Sequence, residues 1–228
     1  MIKRCLIAAM ILPIALFLFT GAGIKSKKYA ALTFDDGPAG QITQQLLEGL
    51  RERNVRATFF LCCYRMEQYP NPVEQMAEDG HEIGIHGCSH EYFIRLTNEQ
   101  LQEEIRHTAG NIIGLTGTQP TLLRPPGGLY NRDVRQTVES SGLSMILWSL
   151  DPEDWDRTKR GTTANYVVSR IRPGDVVLLH DLSRENVAAA LEIIDRLTAQ
   201  GWTFVTVSRL AELSGTELIP GGIYRSFS

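Results

Sequence analysis

The 228-residue chain has little net charge: 23 basic residues against 26 acidic ones leave -3. No basic stripe gathers along it, so the electrostatic footprint of a nucleic-acid-binding protein is missing. Cysteine is scarce, at four residues, and no CxxC occurs, which excludes paired-thiol motifs of that kind. Beyond Cys5, the three cysteines Cys62, Cys63 and Cys88 cannot all pair within one chain. Internal repeats, low-complexity tracts and inter-domain linkers are also lacking, which leaves one domain of ordinary to large size. A long apolar run occurs only at the N-terminus.

That run, uncharged over 5–24 and broken by Pro13, follows Lys3 and Arg4. A charged segment before an apolar one is the pattern of an export signal, and about 20 such residues also suffice for an uncleaved membrane anchor. Gly21, Ala22 and Gly23 offer small residues for cleavage, with Lys25, Lys27 and Lys28 close behind. Residues 1–28 are expected to be a signal peptide or an N-terminal anchor. The remainder is expected to work outside the cytoplasm, secreted or held at the cytoplasmic membrane.

Downstream, strand-like and helix-like segments alternate. Residues 29–34 read as a strand, and Ile42, Leu46, Leu47 and Leu50 make a helical stripe. Residues 57–61 read as a buried strand, 72–78 as a helix and 82–85 as a short strand running into His86. Thr97 and Gln100 fit a capping box opening a helix with Leu101, Ile105, Ile112 and Leu115 on one side. Strands follow at 121–123, 144–148, 175–179 and 202–205, with helices at 133–140, 164–171, 184–200 and 208–213. The tail over 214–228 carries Gly and Pro and is expected to pack loosely. Repeated strand–helix units predict an α/β fold with a parallel sheet. Asp35, Asp36, His86, Arg124, Asp151 and His180 all fall where a strand ends. In (β/α) barrels such positions share one face, so a distorted barrel is the expected architecture.

The chemistry centres on Asp35-Asp36-Gly37-Pro38. Adjacent carboxylates raise each other's pKa unless a cation relieves the conflict. His86 and His90, four residues apart, supply two imidazoles that a helical turn would place on one side. Alone, such a pair is weak, and Asp beside Gly is a common turn former. Together, two imidazoles and one carboxylate are the ligand set of a catalytic zinc with a position left for water. Cys88 lies between the histidines and could be a ligand, a disulfide partner of Cys62 or Cys63, or a buried thiol. The last two are favoured, because it is only two residues from each histidine.

Five ordered blocks carry a resemblance: TFDDGP at 33–38, HGCSH at 86–90, RPPGG at 124–128, DPEDW at 151–155 and LLHD at 178–181. With these the chain resembles the polysaccharide deacetylases of the NodB-homology type, carbohydrate esterase family 4, over about 29–213. The resemblance implies a single distorted (β/α) barrel that removes acetyl groups from N-acetylated sugars with a divalent metal. That metal is expected to be zinc, with cobalt or another transition metal as alternatives. It also implies Asp36, His86 and His90 as metal ligands, Asp35 as general base and Arg124 as the arginine orienting that base. His180 matches the general acid, tuned by Asp154 in preference to Asp151. Trp155, Leu178 and Gly127 are expected along the substrate groove. The chemistry of amide hydrolysis agrees, since it needs an activated water, oxyanion stabilisation (here from a backbone N–H near Gly127) and a proton donor.

Three departures stand out. Gly87 replaces the family's usual Ser or Thr, whose side chain ties down the histidine loop, a task Ser89 could take over in part. Gly127 stands where a bulkier residue is common, and Cys63 replaces a frequent glycine. Residues 183–186 and the helix after them are similar to deacetylases of bacterial cell-wall and spore-cortex peptidoglycan. The expected partner is therefore peptidoglycan, acted on by a monomer, with chitooligosaccharide as the alternative polymer. A non-catalytic anchored glycan-binding protein and a small-molecule amidohydrolase are the competing classes. Asp35, Arg124 and His180 argue against the first, and a sealed pocket would favour the second.

Overall fold

The computed structural model describes residues 28–227, so the expected leader over 1–28 lies outside the described residues except for Lys28. In chain order the elements are β1 (Lys28–Asp35), α1 (Gln41–Glu52), β2 (Thr58–Leu61), α2 (Cys63–Gln68), α3 (Pro70–Glu78) and β3 (Glu82–Ile85). Next come α4 (Asn98–Thr116), β4 (Leu122–Leu123), α5 (Arg132–Ser140), β5 (Ser144–Ile146), α6 (Thr163–Arg170) and β6 (Val176–His180). The chain then forms α7 (Arg184–Thr198), β7 (Trp202–Phe204), α8 (Val207–Ser214) and β8 (Ile223–Tyr224). Among the described residues no helix is long and apolar enough to cross a membrane.

The strands lie in the order β6-β1-β2-β3-β4-β5-β8, with β7 paired to the start of β1. Every one of these pairings is parallel, as expected for strands joined by helical crossovers. The sheet curls into a half-barrel whose remaining side is closed irregularly. Past the end of β5, Leu150 bridges Val177 of β6, and Ser226 bridges Asp175 from the chain's end. Strands of only two or three residues at β4, β5 and β8 leave too few ladder positions for a regular closure.

Alternation along β1 separates two apolar layers. Ala30, Leu32 and Phe34 pack outward against the helices, with Leu46 and Leu50 of α1 and Ile193 and Ile194 of α7. Ala31 points the other way and joins Phe60, Leu122, Ile146 and Val176 inside the curl. Val207, Leu210 and Ala211 of α8, with Phe227, close that interior at the end where the strands begin. Inward positions nearer the carboxyl ends are polar: Thr33, Asp35, Arg124 and His180 are all buried there. The interior is thus an apolar floor under a polar rim.

The expected capping box is present: Thr97 Oγ1 accepts from the N–H of Gln100, and the N–H of Thr97 donates to the Gln100 side chain. Two expectations change. Residues 63–68 form α2 directly after β2, with the Cys62 side chain making no cap to announce it. The tail over 214–228 is not loose. It supplies β8, whose Ile223 and Tyr224 are register partners of Met145 and Ile146, and it buries Phe227. Its few apolar residues cover the sheet edge left by β5.

Candidate active site

Asp35 is the last residue of β1, and Asp36 turns away from the strand with φ 70°. Non-glycine residues rarely adopt such a φ, and strained positions of this kind gather at functional sites. The turn sends the two adjacent carboxylates to different partners. Oδ1 of Asp35 accepts from Nη1 of Arg124 at 2.7 Å. Asp36 Oδ1 instead lies 3.1 Å from His86 Nε2 and 3.0 Å from His90 Nε2.

The two imidazoles do not share a helical turn, contrary to the spacing argument. His86 directly follows β3, Gly87 reverses the chain at φ 94°, and His90 sits at φ 63° in an irregular loop. His86 Nδ1 lies 2.7 Å from the main-chain oxygen of Arg124, which can only accept. The ring proton is therefore on Nδ1, and Nε2 turns its lone pair toward Asp36. Asp36 Oδ1 is buried and has no hydrogen-bond donor among the described residues. Burial pushes the Asp36 carboxyl up, but the adjoining rings of His86 and His90 outweigh it and hold it well below the usual carboxylate range. The neighbouring Asp36 carboxylate raises His90 against the opposing effect of burial.

One carboxylate oxygen and two ring nitrogens thus converge within 4.8 Å of one another. A buried acceptor without a donor, within reach of two imidazole nitrogens, is the arrangement a divalent cation satisfies. The donors suit zinc and the neighbouring transition metals.

Arg124 is wholly buried, and four of the five N–H groups of its guanidinium have partners. Nε donates to the Ile146 carbonyl at 3.0 Å, Nη2 to the Leu147 carbonyl at 2.9 Å, and Nη1 to Thr33 Oγ1 at 2.7 Å as well as to Asp35. Thr33 can accept because its own proton goes to the Val177 carbonyl at 2.7 Å. The ring of Phe60 lies 4.2 Å from the guanidinium carbon. Burial lowers the Arg124 pKa, and Asp35 opposes that effect. A buried charge held by four hydrogen bonds fixes the Asp35 carboxylate in one orientation.

His180, the last residue of β6, is in register with Asp35 across the β1–β6 pair. Its Nδ1 stands 2.7 Å from Asp154 Oδ1, and its N–H donates to Asp154 Oδ2 at 2.9 Å. Burial works against the imidazolium, but Asp154 outweighs it and raises His180 to about 9. The structure brings Asp154 to His180 and leaves Asp151 apart. Asp151 Oδ1 accepts from the Glu153 N–H, and burial raises its carboxyl.

Asp35, Asp36, His86, His90, Asp151 and His180 border one open cavity of about 400 Å³, with Arg124 and Asp154 behind them. Trp155 and Leu178 line it as expected, and so does Gly127. Trp155 is 58 % exposed, a large ring standing free at the rim.

Several contributors were not visible in the sequence. Tyr92 and Trp148 also line the cavity, and Asn186 Nδ2 donates to Asp154 at 3.1 Å. Asn186 lies in the 183–186 segment noted for its resemblance, which was the available signal. Cys88 is no ligand: it is joined to Cys63 by a disulfide, and Cys62 remains a buried thiol raised chiefly by burial. Ser89 does not tie the loop as a substitute for the missing Ser or Thr. Its hydroxyl accepts from Glu91 N–H instead, while Glu104 of α4 binds the loop backbone.

Fold and site together are of the carbohydrate-esterase type: a curled parallel (β/α) sheet with a triad able to hold a cation beside a carboxylate–arginine pair and a carboxylate–histidine pair. The family model described as polysaccharide deacetylase matches residues 22–146. The chain is 38 % identical over 190 residues to a peptidoglycan-N-acetylglucosamine deacetylase of Bacillus cereus, covering 81 % of this chain and 89 % of the relative. It is also 38 % identical over 188 residues to the Bacillus subtilis peptidoglycan-N-acetylmuramic acid deacetylase PdaC, covering 82 % of this chain but only 40 % of that longer protein. Among solved structures, a family 4 acetyl xylan esterase from Clostridium thermocellum, in complex with a cobalt ion, superposes with TM-score 0.81 at 31 % identity. That match covers 87 % of this chain and 98 % of the esterase. The chain belongs to the polysaccharide deacetylase family.

Proposed function

We propose that the protein is a metal-dependent N-deacetylase that removes acetyl groups from the amino sugars of bacterial peptidoglycan. The observation that carries this reading is the pairing of two differently tuned groups on one rim. Asp35 is held by Arg124 at 2.7 Å, and a His180 raised to about 9 stands in register beside it. Both curated relatives described above act on peptidoglycan, by their names, one at glucosamine and one at muramic acid. They divide on the sugar, so the reading names the polymer and leaves the sugar to experiment.

Asp36, His86 and His90 would hold the cation, with zinc the favoured ion and cobalt a working substitute. When bound, a divalent cation supplies Lewis acidity toward the acetyl carbonyl and acidifies water. Asp35 takes the proton of the attacking water, its free Oδ2 standing 3.8 Å from His86 Nε2 and its Oδ1 locked on Arg124. A backbone N–H at Gly127 steadies the carbonyl oxygen as it gains charge. His180 gives its proton to the departing amine nitrogen as the carbon–nitrogen bond breaks, releasing acetate, and Asp154 keeps that proton in place until then. Leu178 and the exposed ring of Trp155 border the acetyl and sugar positions. A single copy holds every group needed, which supports action as a monomer.

The open cavity and free Trp155 favour a polymer over a small molecule enclosed by the protein. The leader would carry the domain to the cell wall or hold it at the membrane surface. The test is acetate release from peptidoglycan and from chitooligosaccharide, with metal added or chelated. Metal-dependent release from peptidoglycan is expected. Release from chitooligosaccharide alone would replace the substrate, and release from neither would remove the activity.

A further inference from the structure

Nothing in the proposed chemistry uses Cys63, Cys88 or Glu104, yet all three grip the short loop that carries His86 and His90. Cys88 stands midway between the two imidazoles and is bonded to Cys63 at the start of α2. Two main-chain bonds run alongside: Cys63 N–H donates to the Gly87 carbonyl at 3.1 Å and Tyr64 N–H to the Cys88 carbonyl at 3.3 Å. From the other side Glu104 of α4 accepts from the N–H groups of Cys88 and Ser89. The loop is therefore clamped between two helices, covalently by one and through a carboxylate by the other.

The loop needs such a clamp. It belongs to no helix or strand, and it holds His90 at φ 63°, a conformation that costs about 1–2 kcal/mol for a side chain of this kind. Gly87 is what lets the clamp close. Its φ is 94°, and a Cβ there would lie 3.2 Å from Glu104 Oε2 and 3.0 Å from the ring of Phe93. The glycine that replaces a side-chain tie thus makes room for a tie of another kind.

We infer that the Cys63–Cys88 disulfide and Glu104 are positioning residues for the metal site, and that reducing the disulfide loosens the histidine loop and weakens metal binding. The inference rests on the reading of Asp36, His86 and His90 as the ligands. The metal load then responds to a dithiol reductant. The dithiol gives two electrons and two protons, the sulfur–sulfur bond breaks into two thiols, and the dithiol closes to its own disulfide. Groups that orient metal ligands from behind commonly change affinity by about 10–100-fold.

The test measures zinc affinity of the full chain by competition with a chromophoric chelator, and records the absorption spectrum of the cobalt-loaded site. Oxidised wild type is compared with protein reduced by dithiothreitol and desalted without oxygen, and with C63S/C88S, E104A and E104Q. Far-UV circular dichroism at the working temperature identifies the folded samples. The inference expects zinc bound at least about tenfold more weakly by the reduced protein, by C63S/C88S and by E104A. E104Q, which keeps an acceptor oxygen, should recover part of the loss, and the cobalt spectrum should shift with affinity. Unchanged affinity in the folded reduced protein or in C63S/C88S overturns it. So does unchanged affinity in E104A, which keeps the disulfide and serves if the cysteine variants do not fold. Tighter binding by the reduced wild type with a thiolate-to-cobalt band overturns it as well, by making Cys88 a ligand. Should oxidised wild type bind zinc no better than Asp36→Ala, the metal site itself falls, an outcome separate from all of these.

Discussion

Asp35 and His180 are register partners on adjacent parallel strands, each the final residue of its strand. Their neighbours set them apart. Asp35 is bonded to a buried guanidinium and His180 to a buried carboxylate, so the proposed base has a cation behind it and the proposed acid an anion. Opposite backing charges are what a site needs to run base and acid steps at one pH.

Replacing Asp35 by Asn should therefore cut kcat by about 10²–10⁴ while zinc remains bound, because the three proposed ligands are untouched. Asn still accepts from Arg124 but no longer neutralises it, so thermal stability should fall too, by as much as about 3 kcal/mol. Acetate release, metal content and a melting curve on the same preparation check the three parts. Wild-type kcat in the variant would take the base role from Asp35.

Asp154→Asn should move the alkaline limb of the activity profile. His180 is raised to about 9 because Asp154 outweighs burial, so removing that charge lets burial pull the value down. The acid form of His180 is then lost at a lower pH, and the limb shifts acidward by about one pH unit or more. Comparing kcat/KM profiles of the two proteins at equal metal loading cancels the charge of the cation. The same substitution at Asp151, which has no bond to His180, should leave the limb in place.

The strand ends were legible because β1 and β6 are apolar on both faces and stop at a chemically loaded residue. That regularity placed Asp35, Asp36, His86 and His180 on one rim before any coordinates. Asp154 was preferred to Asp151 only by resemblance, since both lie in the same short loop and only its folding shows which one reaches His180. Less was visible where tertiary contact outweighs local pattern. The six residues of α2 carry no side-chain cap, and β8 is two residues in a segment rich in glycine. Glu104 reaches the histidine loop across 15 and 16 positions from the middle of an amphipathic helix, where a carboxylate reads as solvent-facing. The loop itself runs through a positive φ at Gly87, so the helical spacing of the two imidazoles was a coincidence of count.

Phe227→Ala tests whether the chain's end belongs to the fold. The ring is 4 % exposed, stacks on Tyr224 at 5.8 Å and closes the apolar floor with Val207 and Leu210. Truncating a buried Phe costs about 3–5 kcal/mol, so a loss of at least about 3 kcal/mol is expected in urea denaturation. Because the floor lies away from the rim, kcat/KM at 25 °C should stay within about twofold of wild type. A loss below about 1 kcal/mol would mean that the tail contributes nothing to closing the sheet.

Asp181 makes the sharpest stability prediction. The residue follows His180, is wholly buried, and accepts from Thr43 Oγ1 through Oδ2, while Oδ1 has no partner among the described residues. Thr43 Oγ1 in turn receives the Ala39 N–H, so the acid braces the turn after Asp36, and Gly37 leaves the room it needs: a Cβ there would meet Oδ1 at 2.6 Å. Burial raises this carboxyl from 3.8 to about 6 against the opposing bond from Thr43. Between those values the folded protein keeps a proton that the unfolded chain has released, so stability falls as pH rises. The full effect is roughly 3 kcal/mol, present as a penalty above pH 6 and absent below pH 4. Asp181→Asn cannot ionise and escapes it. Any fixed cost of the new amide is the same at every pH. In chelator throughout, the stability of the variant relative to wild type should therefore rise by up to about 3 kcal/mol from pH 4 to pH 7. A difference that stays flat over that range would show that Asp181 titrates as an ordinary exposed carboxylate and is not confined behind the turn at Asp36.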